Sequence, residues 1–295
     1  MAAVLERQEV RVRPTGAALG ADIEGIDLAL PPSPAAVAAI KEAWAAHLVL
    51  RFRGQMLDDG ALMRFSQHFG ELEWAPILAA ARAGDDPNAE ENRQYVTVIS
   101  NVIEDGKPIG GLGAYEALWH TDMSYIAEPP TASALYALEV PESGGDTGFT
   151  NMYRACESLP AALRERVARL VCRHDASRNS AGELRRGFKD ASNPSETVGA
   201  EHPILRTHPV TGRKALFLGR RRNAYIPGLS LEDSERLLDE LWDYATRAEL
   251  TWYQQWRVGD LILWDNRCVM HRRDAFDESA RRVMHRTQVR GDRPF

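Results

Sequence analysis

Hydrophobic positions along the chain follow two kinds of spacing, and each predicts a different kind of element. Apolar residues at helical spacing, with capping residues before them, predict helices over 34–44, 58–69, 159–171 and 230–246. Short apolar or alternating runs predict strands over 48–52, 95–99, 132–138, 215–218, 261–264 and 283–289. Strands dominate the predicted core and helices its outside, so we expect a β-rich α+β fold with flanking helices.

Two histidines and a carboxylate stand out among the polar positions. His120 and Asp122 are two residues apart, so on an extended segment both side chains point to the same side and can bind one metal ion. His271 follows the strand predicted over 261–264 and a turn signal, which places it where strand gives way to loop. Two histidines and one carboxylate on one face of an octahedron are typical of non-heme Fe(II) oxygenases. The same spacing also arises by chance, and a lone histidine is more often a packed or surface residue.

Two arginines near the C-terminus are the second candidate feature. The period of two along the last predicted strand puts Arg282, Met284 and Arg286 on one face, with His285 and Thr287 on the other. That face could simply be solvated, because like charges repel each other and are costly to desolvate. Beside a metal site, the two guanidinium groups are better interpreted as receptors for carboxylate or sulfonate groups.

A series of motifs, taken in order, is far more specific than any one of them: PTGAALGADIEGIDL, RFRGQ, FSQHFGEL, WHTDMSY, GGDTGFTNMY, THPVTGRKALFLG, WDNRCVMHRRDAF and RRVMHRTQVRGDRPF. On these motifs the chain resembles the taurine dioxygenase and 2,4-dichlorophenoxyacetate dioxygenase family of Fe(II)- and 2-oxoglutarate-dependent enzymes over nearly its whole length. The resemblance implies a double-stranded β-helix, or jelly roll, in which two packed sheets leave a metal site at one open end.

The resemblance also implies cofactors and the residues that bind them. Fe(II) is the expected metal, with 2-oxoglutarate and O2 as co-substrates. The iron ligands of the family fall on His120, Asp122 and His271 of this chain. By their place in the motifs, Thr147 and Arg282 would bind the distal carboxylate of 2-oxoglutarate, which is decarboxylated to succinate.

The expected prime substrate is a small anionic organic molecule. Arg286 would face its anionic group, with Glu116 and Met123 as further contacts. The taurine enzyme has a histidine in place of Ala75 and an asparagine in place of Glu116, so taurine itself is a poor prediction. Because Asp122 leaves no vacant metal position for a halide, hydroxylation is favoured over halogenation. Desaturation, ring closure and bond cleavage stay open.

Two other functions fit the same ligand set. A zinc-dependent hydrolase also uses two histidines and a carboxylate, but it gives no reason for the two paired arginines. A non-catalytic metal-binding protein of the same fold is the other alternative. A visible band on adding Fe(II) and 2-oxoglutarate without oxygen is expected for the oxygenase alone.

Length, composition and charge bound the remaining possibilities. The chain has 295 residues, of which 44% are hydrophobic, which suffices for one large domain over residues 1–295. The net charge of -6 argues against nucleic acid or an anionic membrane as a partner. The sequence has no long apolar run and no signal peptide, so we expect a cytoplasmic enzyme. A homo-oligomer stays open.

The three cysteines indicate reduced thiols. Cys156, Cys172 and Cys268 are odd in number and widely spaced, so neither a disulfide framework nor a zinc knuckle is expected. Cys268 lies three residues before His271 and could approach the metal, although a small buried residue is the favoured interpretation.

Two stretches with little periodicity are candidate lids, over 78–94 and 177–199. An oxygenase must exclude water during its reaction, which favours lids. Disordered surface loops are the equally weighted alternative.

Overall fold

The chain folds into a strand-rich structure with helices on its outside. This computed structural model describes residues 9–74, 95–114, 117–185, 187–191 and 193–295. The helices in these ranges are α1 (Pro34–His47), α2 (Asp59–Gln67), α3 (Met152–Ser158), α4 (Ala161–Val167) and α5 (Leu231–Ala245), with 3-10 helices at Pro194–Glu196 and Ala248–Leu250. The strands are β1 (Arg11–Pro14), β2 (Ala21–Glu24), β3 (Val49–Phe52), β4 (Thr97–Ser100), β5 (Ile103–Glu104), β6 (Lys107–Pro108), β7 (Gly111–Leu112), β8 (Ala117–His120), β9 (Ala132–Glu139), β10 (Thr147–Asn151), β11 (Val171–Arg173), β12 (Glu201–Pro203), β13 (Leu205–Thr207), β14 (Lys214–Leu216), β15 (Thr251–Gln254), β16 (Leu261–Asp265), β17 (Val269–Arg273) and β18 (Val283–Val289).

Two facing sheets form the centre of the molecule. The larger sheet has the strand order β1-β2-β3-β16-β9-β18-β4-β7, and the smaller has the order β15-β10-β17-β8. Neighbouring strands are antiparallel except for the pairs β2–β3 and β4–β7. The rings of Phe149 on β10 and Trp264 on β16 meet across the gap at 5.6 Å. The architecture is the predicted jelly roll with flanking helices.

Strand β16 shows why the larger sheet is apolar on both faces. Leu261 and Leu263 pack with side chains of α1 and α2 on the outside, whereas Ile262 and Trp264 belong to the core between the sheets. All four side chains are at most 1% exposed. A strand that is buried on both faces needs a continuous apolar run rather than alternation. The run LILW meets that requirement, and it places Trp264 beside the site described below.

Capping side chains determine where α1 and α5 begin. Ser33 accepts a hydrogen bond from a backbone amide in the first turn of α1, and Pro34 occupies the first helical position. Ser230 accepts a bond from the amide of Asp233 in the same way. Both predicted helices are confirmed. None of the helices in the described ranges is both long and apolar enough to cross a membrane.

The helix predicted over 159–171 is wrong in extent. Helix α4 begins only after Pro160 and ends at Val167, and the chain has entered strand β11 by Val171. Proline has no amide hydrogen to donate inside a helix, so it marks the start of α4. The preceding helix α3 was not predicted. It begins where the Asn151 side chain accepts hydrogen bonds from two backbone amides.

Candidate active site

A cavity lies between the two sheets. Both sheets and two adjoining segments contribute to its wall, which consists of Ile99, Ala117, His120, Leu135, Thr147, Ser180, Trp264, His271, Arg273, Arg282 and Arg286. The wall is therefore apolar on part of its surface and carries three arginines and two histidines on the rest. A concave site with a few convergent polar groups is the usual form of a ligand-binding cavity.

The three predicted metal ligands come together at this cavity. His120 ends β8 and His271 lies opposite it on β17, so the two are direct cross-strand neighbours. Asp122 follows in the next turn, and its Oδ1 atom lies 3.6 Å from Nε2 of His120 and 3.9 Å from Nε2 of His271. All three side chains are buried. The separations are short enough for one ion to be bound by all three residues.

Neighbouring groups orient His120 and His271. Nδ1 of His120 lies 2.8 Å from the carbonyl oxygen of Leu118. A nitrogen that faces a carbonyl oxygen carries the proton, which leaves the Nε2 lone pair of His120 toward Asp122. The His271 ring is instead positioned by packing, because Trp264 lies 4.8 Å away and Phe149 stacks on it at 6.2 Å.

The two oxygens of the Asp122 carboxylate have different partners, and NH1 of Arg286 lies 3.3 Å from Oδ1. Oδ2 accepts hydrogen bonds from the Ser133 hydroxyl at 2.8 Å and from the Gln288 amide at 3.2 Å. Oδ1 is therefore the atom that faces the two histidines. Such partners fix the orientation of a ligating carboxylate before a metal binds.

Asn266 connects the metal-ligand segment to the central strand β16. Its side-chain oxygen accepts a hydrogen bond from the amide of Asp122 at 2.9 Å, and its amide group donates to the carbonyl oxygens of Asp122 and Pro130. The turn after β16 thus braces the turn after β8. Asn266 of the WDN motif therefore holds the Asp122 segment in place, in addition to its predicted role in a turn.

The charges of the three groups suit a divalent cation. Burial, and then the charge of His120, lower the pKa of His271 to about 3, so its imidazole is neutral at physiological pH. Burial would raise the pKa of Asp122, but the charge of Arg286, and then the neighbouring imidazoles, hold it well below its usual value. Two imidazoles and one carboxylate form the donor set that Fe(II) oxygenases use, so the residues fit the predicted metal.

Arg282 and Thr147 lie together on the cavity wall. Arg282 is 2% exposed and forms no ion pair with any carboxylate in the part of the chain that the structure describes. Burial, and then the charge of Arg273, lower its pKa to about 9. Thr147 Oγ1 accepts a hydrogen bond from Nε1 of Trp256 at 2.9 Å, so its own hydroxyl hydrogen can be donated to a ligand. A desolvated cation beside a hydroxyl donor is suited to binding a carboxylate.

Arg286 lies on the same wall but closer to the metal ligands. Its NH1 atom is 3.3 Å from Asp122 Oδ1. The alternation predicted for the last strand is observed, since His285 and Thr287 turn to the other face and contact Asp59 and Ser66 of α2. Arg282 precedes β18, and a change of register lies between it and Arg286. The cavity nevertheless receives both guanidinium groups.

The other predicted substrate contacts are placed less clearly. Glu116, like the candidate lid over 78–94, lies outside the described residues. Met123 adopts a positive φ of 48° in the turn after Asp122 and is not part of the cavity wall. The stretch over 177–199 contributes Ser180 to the wall, and the carbonyl of Ser180 accepts a hydrogen bond from Leu118 on β8. Its action as a lid stays a prediction.

Sequence reasoning missed four residues at this site. Arg273 lies two positions beyond His271 on β17, and the period of two along a strand could have identified it. Ser133, Gln288 and Asn266 reach Asp122 from sequence separations of 11, 166 and 144 residues. Nothing in a local pattern marks them, because their role depends on the way the strands pair.

A second cluster of ligand-type side chains lies elsewhere in the core and comprises His208, Asp265 and Cys268. Both carboxylate oxygens of Asp265 accept hydrogen bonds from the Arg267 guanidinium, at 2.8 and 2.7 Å. His208 Nε2 lies 3.0 Å from the same carboxylate. Cys268 belongs to this cluster and not to the His271 site, as its interpretation as a small buried residue implied.

Comparisons with known proteins identify the family. The family described as "Taurine catabolism dioxygenase TauD, TfdA family" matches residues 11–288. The chain is 36% identical over 281 residues to an alpha-ketoglutarate-dependent 2,4-dichlorophenoxyacetate dioxygenase of Cupriavidus pinatubonensis, and the match covers 92% of this chain and 94% of that protein. The family match favours the oxygenase over the zinc hydrolase and the non-catalytic protein.

Solved structures agree with this result. A taurine dioxygenase from Burkholderia xenovorans is 32% identical, with a TM-score of 0.76 over 97% of this chain and 90% of that chain. AAD-2, crystallised with Mn(II) and N-oxalylglycine, is 28% identical, with a TM-score of 0.78 over 97% of this chain and 99% of that chain. The resemblance seen in the sequence motifs is confirmed: the chain belongs to the taurine catabolism dioxygenase TauD, TfdA family.

Proposed function

We propose that this Fe(II)- and 2-oxoglutarate-dependent dioxygenase oxidises a small anionic organic molecule and that hydroxylation is its reaction. His120, Asp122 and His271 bind the metal, and Thr147 and Arg282 bind the distal carboxylate of 2-oxoglutarate. Arg286 binds the anionic group of the prime substrate. Glu116 and Met123 are proposed as further substrate contacts.

The observation that carries this proposal is the arrangement of one cavity. Three convergent metal-ligand atoms occupy one part of its wall, and a buried arginine beside a hydroxyl donor occupies another. A chelating 2-oxo diacid needs both features at once, because one end binds the metal and the distal carboxylate needs a cationic partner. A hydrolytic metal site has no use for the second feature.

Bound iron supplies the chemistry that activates O2 at the expense of 2-oxoglutarate. The protein residues provide binding and orientation. The Leu118 carbonyl fixes the protonated nitrogen of His120, and Ser133 and Gln288 orient Asp122. Trp256 positions the Thr147 hydroxyl for donation to a carboxylate. Trp264 and Leu135 line the cavity with apolar surface, which limits the access of water.

An anionic substrate is supported by Arg286 and by the relatives. Arg286 lines the cavity 3.3 Å from the metal-ligand carboxylate, so an anionic group bound to it would lie beside the metal. The names of two relatives refer to substrates with a carboxylate or a sulfonate, 2,4-dichlorophenoxyacetate and taurine. A small carboxylate, sulfonate or sulfate ester is the substrate class that this arrangement favours.

The first experiment adds Fe(II) and 2-oxoglutarate to the metal-free protein without oxygen. A visible charge-transfer band is expected for the wild-type protein and is expected to be absent in His271→Ala. A wild-type protein that binds Fe(II) with no such band, whatever the 2-oxoglutarate concentration, would contradict the proposal.

A second experiment separates the two arginines. Arg282→Gln should weaken 2-oxoglutarate binding, measured by the visible band without prime substrate, by about 2–5 kcal/mol because a desolvated carboxylate loses its partner. Arg286→Gln should change that binding little and should raise the KM of the prime substrate, found by screening small anions for substrate-dependent succinate. A larger effect of Arg286→Gln on 2-oxoglutarate would exchange the two roles.

We also propose that residues 1–295 form a single domain and that the enzyme is cytoplasmic. Neither nucleic acid nor a membrane is a proposed partner, given the net charge of -6. Light scattering on the purified protein would decide between a monomer and a homo-oligomer.

A further inference from the structure

Arg273 lies in the same cross-strand row as Thr147. On the smaller sheet, Thr147 of β10 pairs directly with Arg273 of β17, just as Phe149 pairs with His271 two residues further along β10. Directly paired residues of antiparallel strands project to the same face, so Thr147 and Arg273 are side-by-side neighbours. Both line the cavity.

The spacing along β17 matches the shape of the co-substrate. Residues i and i+2 of a strand are separated by roughly 7 Å and point to the same face. Arg273 therefore projects to the same face as His271, about that distance further along β17. A 2-oxo diacid that chelates a metal at His271 must extend its distal carboxylate away from that metal. The row of Thr147 and Arg273 lies in the region where such a carboxylate would end.

Arg282 approaches this region from the other sheet. The guanidinium carbon of Arg273 lies 5.5 Å from the Phe276 ring centroid, and that of Arg282 lies 5.9 Å from the same centroid. Both side chains are buried, at 7% and 2% exposure, and burial, followed by the charge of Arg273, lowers the pKa of Arg282 to about 9. An anion bound by both guanidinium groups would gain two charge-assisted contacts in a desolvated site.

We propose that Arg273 is a second guanidinium group for the distal carboxylate of 2-oxoglutarate, which it binds together with Arg282 and Thr147. This inference rests on the proposed function. It adds a second residue of the smaller sheet beside Thr147, so that the carboxylate is bound by two groups of that sheet and by Arg282, which precedes β18 of the larger sheet. The distal carboxylate therefore helps to fix the distance between the two walls of the cavity.

The test compares two ligands that differ only in the distal carboxylate. N-Oxalylglycine retains this carboxylate, whereas N-methyloxamate has a hydrogen atom in its place. Each is titrated calorimetrically into Mn(II)-loaded protein, with displacement for the weaker ligand. Arg273→Gln should weaken N-oxalylglycine binding by about tenfold or more and should change N-methyloxamate binding by less than about twofold.

The matched control is Arg272→Gln. Arg272 is the next residue on β17, points to the opposite face and pairs with Asp274 at 2.8 Å, so both affinities should stay within about twofold of the wild type. Arg273→Lys keeps the charge but loses the planar fork, so it should show a smaller loss with the same selectivity for N-oxalylglycine. It also provides the test if Arg273→Gln fails to fold.

Equal losses for both ligands would overturn the inference, because they would indicate damage to the metal site. Unchanged N-oxalylglycine affinity in both Arg273 variants would overturn it too, including the case in which only the KM of the prime substrate rises. Failure of the proposed function has a different signature. There, wild-type protein would bind Mn(II) but would bind neither ligand.

Discussion

Two buried clusters of this protein have almost the same composition but differ in what they can bind. The first contains two histidines and an aspartate, and the second contains His208, Asp265 and Cys268. In the first, Oδ1 of Asp122 faces two imidazole nitrogens across 3.6 and 3.9 Å. In the second, the Asp265 carboxylate is already occupied by Arg267 through both oxygens.

The difference shows that proximity of ligand-type side chains is not sufficient for a metal site. A cation entering the second cluster would have to displace a guanidinium that already neutralises Asp265 in a buried position. Burial would raise the pKa of Asp265, but the charge and hydrogen bonds of Arg267 and a bond from His208 lower it to about 2. The first cluster instead borders a cavity, and the guanidinium of Arg286 approaches Asp122 only at 3.3 and 3.5 Å, in place of the two short bonds that Arg267 forms to Asp265. The first cluster is therefore suited to binding a metal ion, whereas the second is suited to stabilising the fold.

The largest expected effect is the loss of metal from the first cluster alone. Asp122→Ala, His120→Ala and His271→Ala should each remove most bound iron and reduce turnover by about 1000-fold or more, because a facial site with two ligands binds weakly. His208→Ala should leave the iron content of folded protein unchanged. Metal analysis after dialysis measures both, and a normal iron content in Asp122→Ala would show that the ligand set is wrong.

Removing the cation that pairs with Asp265 tests the structural role of the second cluster. Arg267→Met leaves the buried Asp265 without its cation and should lower the free energy of unfolding by about 3–5 kcal/mol. Urea unfolding measures the loss. Arg290→Met is the control, since its pair with Glu71 is 50% and 80% exposed and should contribute about 1 kcal/mol or less. If the two variants lost the same stability, the structural role of the second cluster would be refuted.

Acid should weaken the second cluster in a defined pH range. The pKa of Asp265 is about 2 in the folded protein, against the ordinary value of 3.8 expected in the unfolded chain. As the pH falls, the unfolded chain therefore binds the proton at a higher pH than the folded protein does. The pair therefore contributes about 2 kcal/mol above pH 4, and this contribution disappears as the pH falls toward 2. The gap in unfolding free energy between wild type and Asp265→Asn should shrink by that amount from pH 6 to pH 2. A gap that does not depend on pH would argue against a charged Asp265.

The smallest expected effect concerns the bracing of the first cluster. Ser133→Ala removes a 2.8 Å hydrogen bond to Asp122 Oδ2 and should weaken metal affinity by about tenfold, because the carboxylate is less well oriented. Gln288 still donates to the same oxygen, so the fold should be preserved. Competition with a metal chelator measures the change. Unaltered affinity would mean that packing alone orients Asp122.

The sequence was most informative where function requires a fixed local spacing. His120 and Asp122 are two residues apart, so the end of β8 and the turn after it bring both to one point. The alternation on the last strand placed Arg282 and Arg286 correctly on one cavity wall. Helices with capping serines were predicted nearly to their ends. In each case the physical cause lies within a few residues of the chain.

Features that depend on strand pairing could not be predicted in this way. Ser133, Gln288 and Asn266 brace Asp122 only because β9, β18 and β16 lie next to one another in the larger sheet. The second cluster brings His208 to Asp265 across 57 residues of sequence. The error at 159–171 was local, because the helix begins after Pro160 and ends at Val167, before the strand that starts at Val171.

The cavity has walls from both sheets, so any molecule that fills it links two halves of the fold. Such a ligand binds the native state and not the unfolded chain, and it therefore raises the melting temperature in proportion to the logarithm of its concentration over its dissociation constant. A collection of small anions can thus be ranked by thermal shift of the metal-loaded protein with N-oxalylglycine present, without any assay of oxidation. The sequence does not identify the substrate, but the thermal stability of the intact protein can be used to detect it.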